Sequence, residues 1–250
     1  MTIFEISPRW QELLKGQGLV TFEALWKAPT KPFKSKKDRE IALLELGDER
    51  FFLKRYFRFP LFGFLKSGAE REWWAAKELS AHGFHVPEPV AFGLERGLRR
   101  HRALSLFREV PGKRLEDLFK ESPELFRKLL PPLVETAARF HALGFSHQDF
   151  YLCHLFWDGK RLFMIDLQRV RRARKIKPYW VIKDLAELFY SARQILGPGT
   201  REFEKAFLEA YFHYHPWLSE EKRLIKLEKK IAKIAAHDAK LKARRKDASL

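Results

Sequence analysis

Two aspartates hold most of the chemical information in this chain. Asp149 sits in His147-Gln148-Asp149-Phe150-Tyr151-Leu152-Cys153-His154, just after a helical pattern that Gly144 stops. Asp166 ends the apolar run Phe163-Met164-Ile165, 17 residues later. A loop carboxylate followed at this distance by a carboxylate at a strand end is the layout of phosphoryl transfer. The first accepts the proton of the attacking hydroxyl, and the second holds a Mg²⁺ that bridges the phosphates of ATP. Such chemistry is mostly positioning and charge neutralisation. An isolated aspartate in a turn more often satisfies backbone amides, so the reading depends on its companions.

The companions are a lysine on an early strand, a glutamate to hold it, and a hinge. Lys54 in Phe51-Phe52-Leu53-Lys54-Arg55-Tyr56 suits the α- and β-phosphates, although Arg55 is the alternative inward residue. Glu72 and Glu70 lie on the next helical stretch, and Glu72 is preferred as the partner of Lys54 for its spacing before Val86-Pro87. Glu109 and Val110, before Pro111-Gly112, are placed as the hinge whose backbone meets adenine. His154 stands five residues after Asp149, where typical kinases carry an asparagine as second metal contact. Histidine is a poorer ligand for a hard ion. Bonding to Asp166 or a phosphate, or packing of the loop, stays open beside metal binding. No Gly-x-Gly-x-x-Gly is present; Lys31, Lys34, Lys36 and Lys37 occupy the place of such a loop and offer charge by side chain, or form a solvated basic loop. The spacing of His141, His147, Cys153 and His154 fits no zinc pattern, and there is no Gly-x-Ser-x-Gly.

These residues require elements to position them. Leu19–Trp26 reads as a strand and Lys27–Lys37 as a loop. Arg39–Leu46 and Phe51–Phe57 form a hairpin across Gly47-Asp48, and Phe59–Leu65 is a short apolar run. Glu70–His82 reads as a helix, Val86–Val90 as an extended link and Ala103–Val110 as a strand. Leu115–Phe119 starts a short helix; Leu125–Leu143 is a helix that Pro131 and Pro132 kink or divide. Asp158-Gly159 signals a hairpin turn. Helices follow from Pro178 to Ala192 and from Thr200 to His213. The last begins at a Ser219 cap and shares Leu224, Leu227, Ile231, Ile234 and Leu241 on one face. Strands precede helices, so the expected class is α+β: a β-rich N-terminal lobe over residues 1–109 and a helical C-terminal lobe over residues 110–250.

The formal charge of +17, from 49 Lys plus Arg against 32 Asp plus Glu, points to an anionic partner or to simple solubility. Basic residues and aromatics do not interleave as a single-strand stacking motif, so nucleic acid is not expected. The single cysteine, Cys153, allows no internal disulfide, and no apolar run reaches the length of a membrane span. A cytoplasmic protein is expected, either free or attached peripherally to a membrane face.

The combination His147-x-Asp149-x-Tyr151-x-Cys153-His154, Ile165-Asp166-Leu167-x-Arg169 and Trp180-x-x-Lys183-Asp184-Leu185 resembles the bacterial lipopolysaccharide core kinases, the inner-core heptose kinases and the related Kdo kinases. The likeness is strongest over residues 135 to 195 and extends back through Lys54, Glu72 and Val86-Pro87-x-Pro89. It implies a two-lobed protein-kinase-like fold, ATP with Mg²⁺, and phosphorylation of a sugar hydroxyl on lipopolysaccharide core glycolipid at the inner face of the inner membrane. By position it makes Asp149 the base, Asp166 a metal ligand and Lys54 the phosphate lysine. His147 and Asp184 become supports of the catalytic loop. Gln148 departs from the arginine usual in protein kinases, which implies activity independent of a phosphorylated activation loop. The basic run Arg169, Arg171, Arg172, Arg174, Lys175 and Lys177 falls in the activation-segment position and would hold phosphates and carboxylates of the glycolipid, or else form a solvated face. A small-molecule or protein kinase of the same fold, a pseudokinase and a basic nucleic-acid-binding protein are the other readings.

Overall fold

The computed structural model describes residues 1–57, 66–97 and 101–247. Its contacts divide into two units, residues 1–110 with 163–169, and residues 111–162 with 170–250.

The first unit is built on a six-stranded antiparallel sheet. Its strands are β1 (Thr2–Ile6), β2 (Lys31–Ser35), β3 (Arg39–Leu46), β4 (Glu49–Tyr56), β5 (Pro89–Arg96) and β6 (His101–Arg108), in the order β1-β5-β6-β4-β3-β2. Successive side chains of a strand point to opposite faces. On β4, Phe51, Leu53 and Arg55 take one face and Phe52, Lys54 and Tyr56 the other. Phe51 and Leu53 enter a core with Trp10, with Leu14 from the short helix α1 (Gln11–Gly16), and with Phe22 and Leu25 from the short helix α2 (Phe22–Trp26). Against the other face lies α3 (Gly68–Ala81), where Trp73 stacks on Phe92 at 5.8 Å. A capping box starts α3: Ser67 Oγ accepts from Glu70 N, and Glu70 Oε2 accepts from Ser67 N.

Two expected segments differ. Residues 22–26 are helical, not a strand: Thr21 accepts from Ala24 N at 3.1 Å, and Phe22 and Leu25 share the buried face one helical turn apart. The basic segment is not a loop throughout; Lys31–Ser35 pairs with β3 as an edge strand, with Lys31 bonded to Glu45 at 2.5 Å. Cross-strand opposite charge and lysine on an edge are both favourable there. The apolar run from Phe59 to Leu65 lies outside the described residues.

The second unit is mostly helical: α4 (Leu115–Glu121), α5 (Leu125–Ala142), α6 (Pro178–Arg193), α7 (Thr200–Tyr214) and α8 (Glu221–Asp247). Pro131 and Pro132 do not divide α5, which runs unbroken through both. Burial of Phe126, Leu129, Leu133, Val134, Ala137 and Phe140 along one side offsets the lost amide bonds. Ser219 does not cap the last helix. It donates to Pro216 O within a 3-10 turn, and Glu220 O accepts the amides of Arg223 and Leu224. Leu227 and Ile231 of α8 are buried, whereas Leu241 is exposed.

Candidate active site

In the second unit the loop after α5 is held by its main chain. Gly144 has φ +83, and a Cβ there would stand 2.0 Å from Ala173 O, so only glycine permits this turn. Asp184, fully buried on α6, accepts His147 N through Oδ2 and Gln148 N through Oδ1, each at 2.7 Å. Its Oδ2 also meets His141 Nε2 at 3.2 Å, and His141 Nδ1 meets Tyr211 Oη at 2.7 Å. Burial and the charge of Asp184 push the Tyr211 phenol well above its ordinary pKa. Tyr211 therefore keeps its proton, and His141 joins it to Asp184 through its two ring nitrogens.

Further along α6, Glu187 Oε2 accepts Phe150 N at 3.0 Å and Ser191 Oγ accepts Leu152 N at 3.1 Å. Lys183 donates to both Gln148 O and Glu187 Oε1. Burial raises the pKa of Glu187, against the opposing pull of Lys183. Four amides of the loop, on residues 147, 148, 150 and 152, thus end on one stripe of α6. Gln148 is forced to φ 63, a left-handed backbone that costs a non-glycine residue about 1–2 kcal/mol. Asp149 is carried half-buried between these anchors. His154 Nδ1 donates to Asp149 O at 2.7 Å, so that ring braces the loop whatever else it does.

Glu187 and Ser191 were not singled out from the sequence; Lys183 stood there only within the family motif and His141 only in the zinc pattern that the spacing did not fit. Lys183, Glu187 and Ser191 repeat every four residues, and a polar stripe at that spacing on an otherwise apolar helix was the available signal. Of the basic run, Arg171 and Arg172 pair in register with Ser146 and Phe145, next to the loop. The Arg171 guanidinium lies 5.3 Å from the Trp180 ring centre, and that of Arg172 lies 5.0 Å from Phe145. Arg174 is exposed.

In the first unit Lys54 Nζ bonds Glu72 Oε1 at 2.5 Å, and both side chains are largely withdrawn from solvent, at 13% and 3% exposure. Glu70 is instead spent on the capping box and on Arg96 at 2.9 Å. Arg55, on the opposite face, is buried and donates to Trp26 O, Ala28 O, Thr30 Oγ1 and Glu40 Oε1. It fastens the chain before β2 and does not compete with Lys54.

The lysine–glutamate pair continues into a relay absent from the sequence reading. Tyr56 Oη donates to Glu72 Oε2 at 3.4 Å and accepts Gln168 Nε2 at 2.8 Å, and Gln168 Oε1 accepts Arg39 NH1 at 2.6 Å. Burial foremost, then Glu72, and more weakly Asp166, raise the pKa of Tyr56 well above its usual value. A Cβ on Gly68 would stand 2.6 Å from the Tyr56 ring, so glycine at the start of α3 admits the phenol. Asp166, at φ 57, precedes the 3-10 turn Leu167–Arg169. Ser105 lies opposite Lys54 in register on β6, fully buried, and its Oγ finds no hydrogen-bond partner among the described residues. A polar ligand beside Lys54 would satisfy it, so this face fits a phosphorylated nucleotide. Glu109 follows β6, with its amide on Arg50 O at 2.8 Å and its carboxylate on Arg50 NH1 at 3.0 Å; Val110 is half-buried. A carboxylate such as Asp166 suits Mg²⁺ by its hard oxygen donors.

The model of the lipopolysaccharide kinase (Kdo/WaaP) family matches residues 24–211, about three quarters of the chain. The chain belongs to this family. Lipopolysaccharide core heptose(I) kinase WaaP of Escherichia coli strain K12 is 28% identical over 222 residues, covering 78% of this chain and 83% of the relative. The Pseudomonas aeruginosa protein of the same name is 32% identical over 162 residues, covering 58% of this chain and 59% of that protein. A solved structure of WaaP in complex with acyl carrier protein superposes with a TM-score of 0.72 at 25% identity, covering 92% of this chain and 98% of the other. Rio2 kinase from Chaetomium thermophilum, at 15% identity and a TM-score of 0.50, shares the fold, covering 90% of this chain and 76% of its own. The fold is protein-kinase-like, and this member of the Kdo/WaaP family is a phosphotransferase acting on a sugar hydroxyl.

Proposed function

We propose that this chain transfers the γ-phosphate of ATP to a heptose hydroxyl of the lipopolysaccharide inner core, at the cytoplasmic face of the inner membrane. The observation that carries the assignment of the base is the immobilised loop: Asp184 and Glu187 fix the amides on either side of Asp149. Asp149 accepts the hydroxyl proton as that oxygen bonds to the γ-phosphorus and the bond to the ADP oxygen breaks. Lys54, aimed by Glu72, neutralises the α- and β-phosphates. The backbone at Glu109 and Val110 meets adenine. Mg²⁺, when bound, neutralises phosphate charge, and Asp166, with His154 as the weaker donor, would hold it. Arg169, Arg171, Arg172 and Arg174 hold the acidic groups of the glycolipid.

The test is phosphate incorporation into lipopolysaccharide that lacks core phosphate. Asp149→Asn is expected to lose roughly 10²–10⁴-fold in rate with an unchanged urea midpoint. Equal incorporation by variant and parent would remove Asp149 as the base. Mass spectrometry of lipopolysaccharide from cells with and without the chain locates the acceptor: one missing phosphate is expected on heptose, and its assignment to Kdo would overturn the heptose reading.

A further inference from the structure

A groove of about 640 Å³ runs between the start of α6 and the first half of α8. Lys226, Lys229, Lys230 and Lys233 line it from α8 at helical spacing, joined by Lys177 and Arg223, and no carboxylate lines it. Two acidic residues of α8 are used elsewhere: Glu228 pairs with Arg193 at 2.7 Å, and Asp238 accepts Tyr190 Oη at 2.5 Å and pairs with Lys242 at 2.8 Å. Among the described residues, the side chains of Lys177, Lys226, Lys229 and Lys233 pair with no carboxylate. Arg223 Nε is buried without a hydrogen bond, its nearest carboxylate being Glu220 at 3.7 Å. Between the charges the lining is apolar: Pro178, Ile182 and the ring of Tyr179, which is half exposed and has Lys230 Nζ at 5.1 Å from its centre. Leu227 and Ile231 of the same helix are buried and α8 packs on α6, which fixes the backbone that carries these lysines.

We propose that this groove docks on a membrane surface by binding the phosphates of anionic phospholipid headgroups. Unneutralised cations answer the charge of such a surface, and their aliphatic stems with Tyr179 suit the boundary between headgroup and acyl chain. The proposal deepens the function above, which rests on an acceptor anchored in a membrane, and adds the surface that brings the chain to it.

The experiment is co-sedimentation of the full chain with vesicles of phosphatidylcholine alone and of phosphatidylcholine mixed with phosphatidylglycerol. The parent is expected to bind only the anionic vesicles. The triple variant Lys226→Gln, Lys229→Gln, Lys233→Gln should bind them about a hundredfold more weakly, while the corresponding triple Lys→Arg variant retains binding. Phosphate transfer to water-soluble, deacylated core oligosaccharide, run alongside, should be the same for all three. A chain that binds anionic vesicles through these lysines but transfers no phosphate would disprove the kinase reading and leave the groove assignment standing. Equal vesicle binding by parent and Gln variant, or binding of the parent to an acidic protein but not to anionic vesicles, would overturn the groove assignment.

Discussion

The two units hold their functional residues by different means. In the second, the loop bearing Asp149 is fixed by main-chain amides that end on Asp184, Glu187 and Ser191 of a single helix. In the first, Lys54 is fixed by a chain of side chains, Glu72, Tyr56, Gln168 and Arg39, drawn from β4, α3, β3 and the turn after Asp166. Amide anchors leave the backbone no local freedom. A side-chain relay tolerates a rotamer change at any member. A base must meet one hydroxyl in one geometry, whereas a phosphate-neutralising lysine serves over a wider range, and the construction follows that difference.

The sharpest way to break the comparison is Asp184→Ala. It strands two buried amides and His141 together, and the expected cost is roughly 3 kcal/mol or more of unfolding free energy. Urea unfolding measures it, and a loss below that of an ordinary surface change would mean that the amide anchors do not govern the loop. Tyr56→Phe cuts the relay with little change of volume. The expected loss is about 1 kcal/mol of stability, together with a severalfold rise in KM for ATP and little change in kcat. A stability loss as large as that of Asp184→Ala would erase the distinction between the two constructions.

The smallest effect concerns His215, which bonds Ala138 O at 2.9 Å beneath the His141 network. Burial, aided by His141, lowers its pKa below the ordinary 6.5. The unfolded chain therefore takes up the proton first, so stability from neutral His215 is complete above pH 6.5 and falls as pH drops toward the lowered folded value. Between about pH 7.5 and pH 5.5 the parent should lose up to about 1 kcal/mol more than His215→Gln, read as the difference in urea midpoints. An identical pH response in the two proteins would place the titration elsewhere.

What the sequence disclosed follows the same division. Asp149 and Asp166 stood out because their types stand at a fixed distance along one stretch of chain, whereas Asp184 entered only through the family motif Trp180-x-x-Lys183-Asp184. Arg39–Leu46 was legible as a strand because its alternation and the Gly47 turn agree. The relay was not legible: Arg39, Tyr56 and Gln168 are far apart in sequence, and each is ordinary in its local setting. Strand β1 was missed because Thr2–Ile6 carries no regular alternation and acquires its register only from β5. The segment 22–26 reads as β by composition, but a threonine cap and two apolar residues one turn apart decide it for helix. Lys54 and Arg55 look like rivals in sequence and are both satisfied, because a strand serves two faces.

The loop from His147 to Leu152 contains hardly any regular secondary structure, yet its amides at 147, 148, 150 and 152 are all spent on side chains of α6, of which Asp184 and Glu187 are buried. It therefore belongs with the cooperative core of the second unit and not with its fraying segments. Opening it strips the buried carboxylates of Asp184 and Glu187 of their amide partners, so the free energy of exposing Asp149's backbone approaches that of unfolding the helices around it.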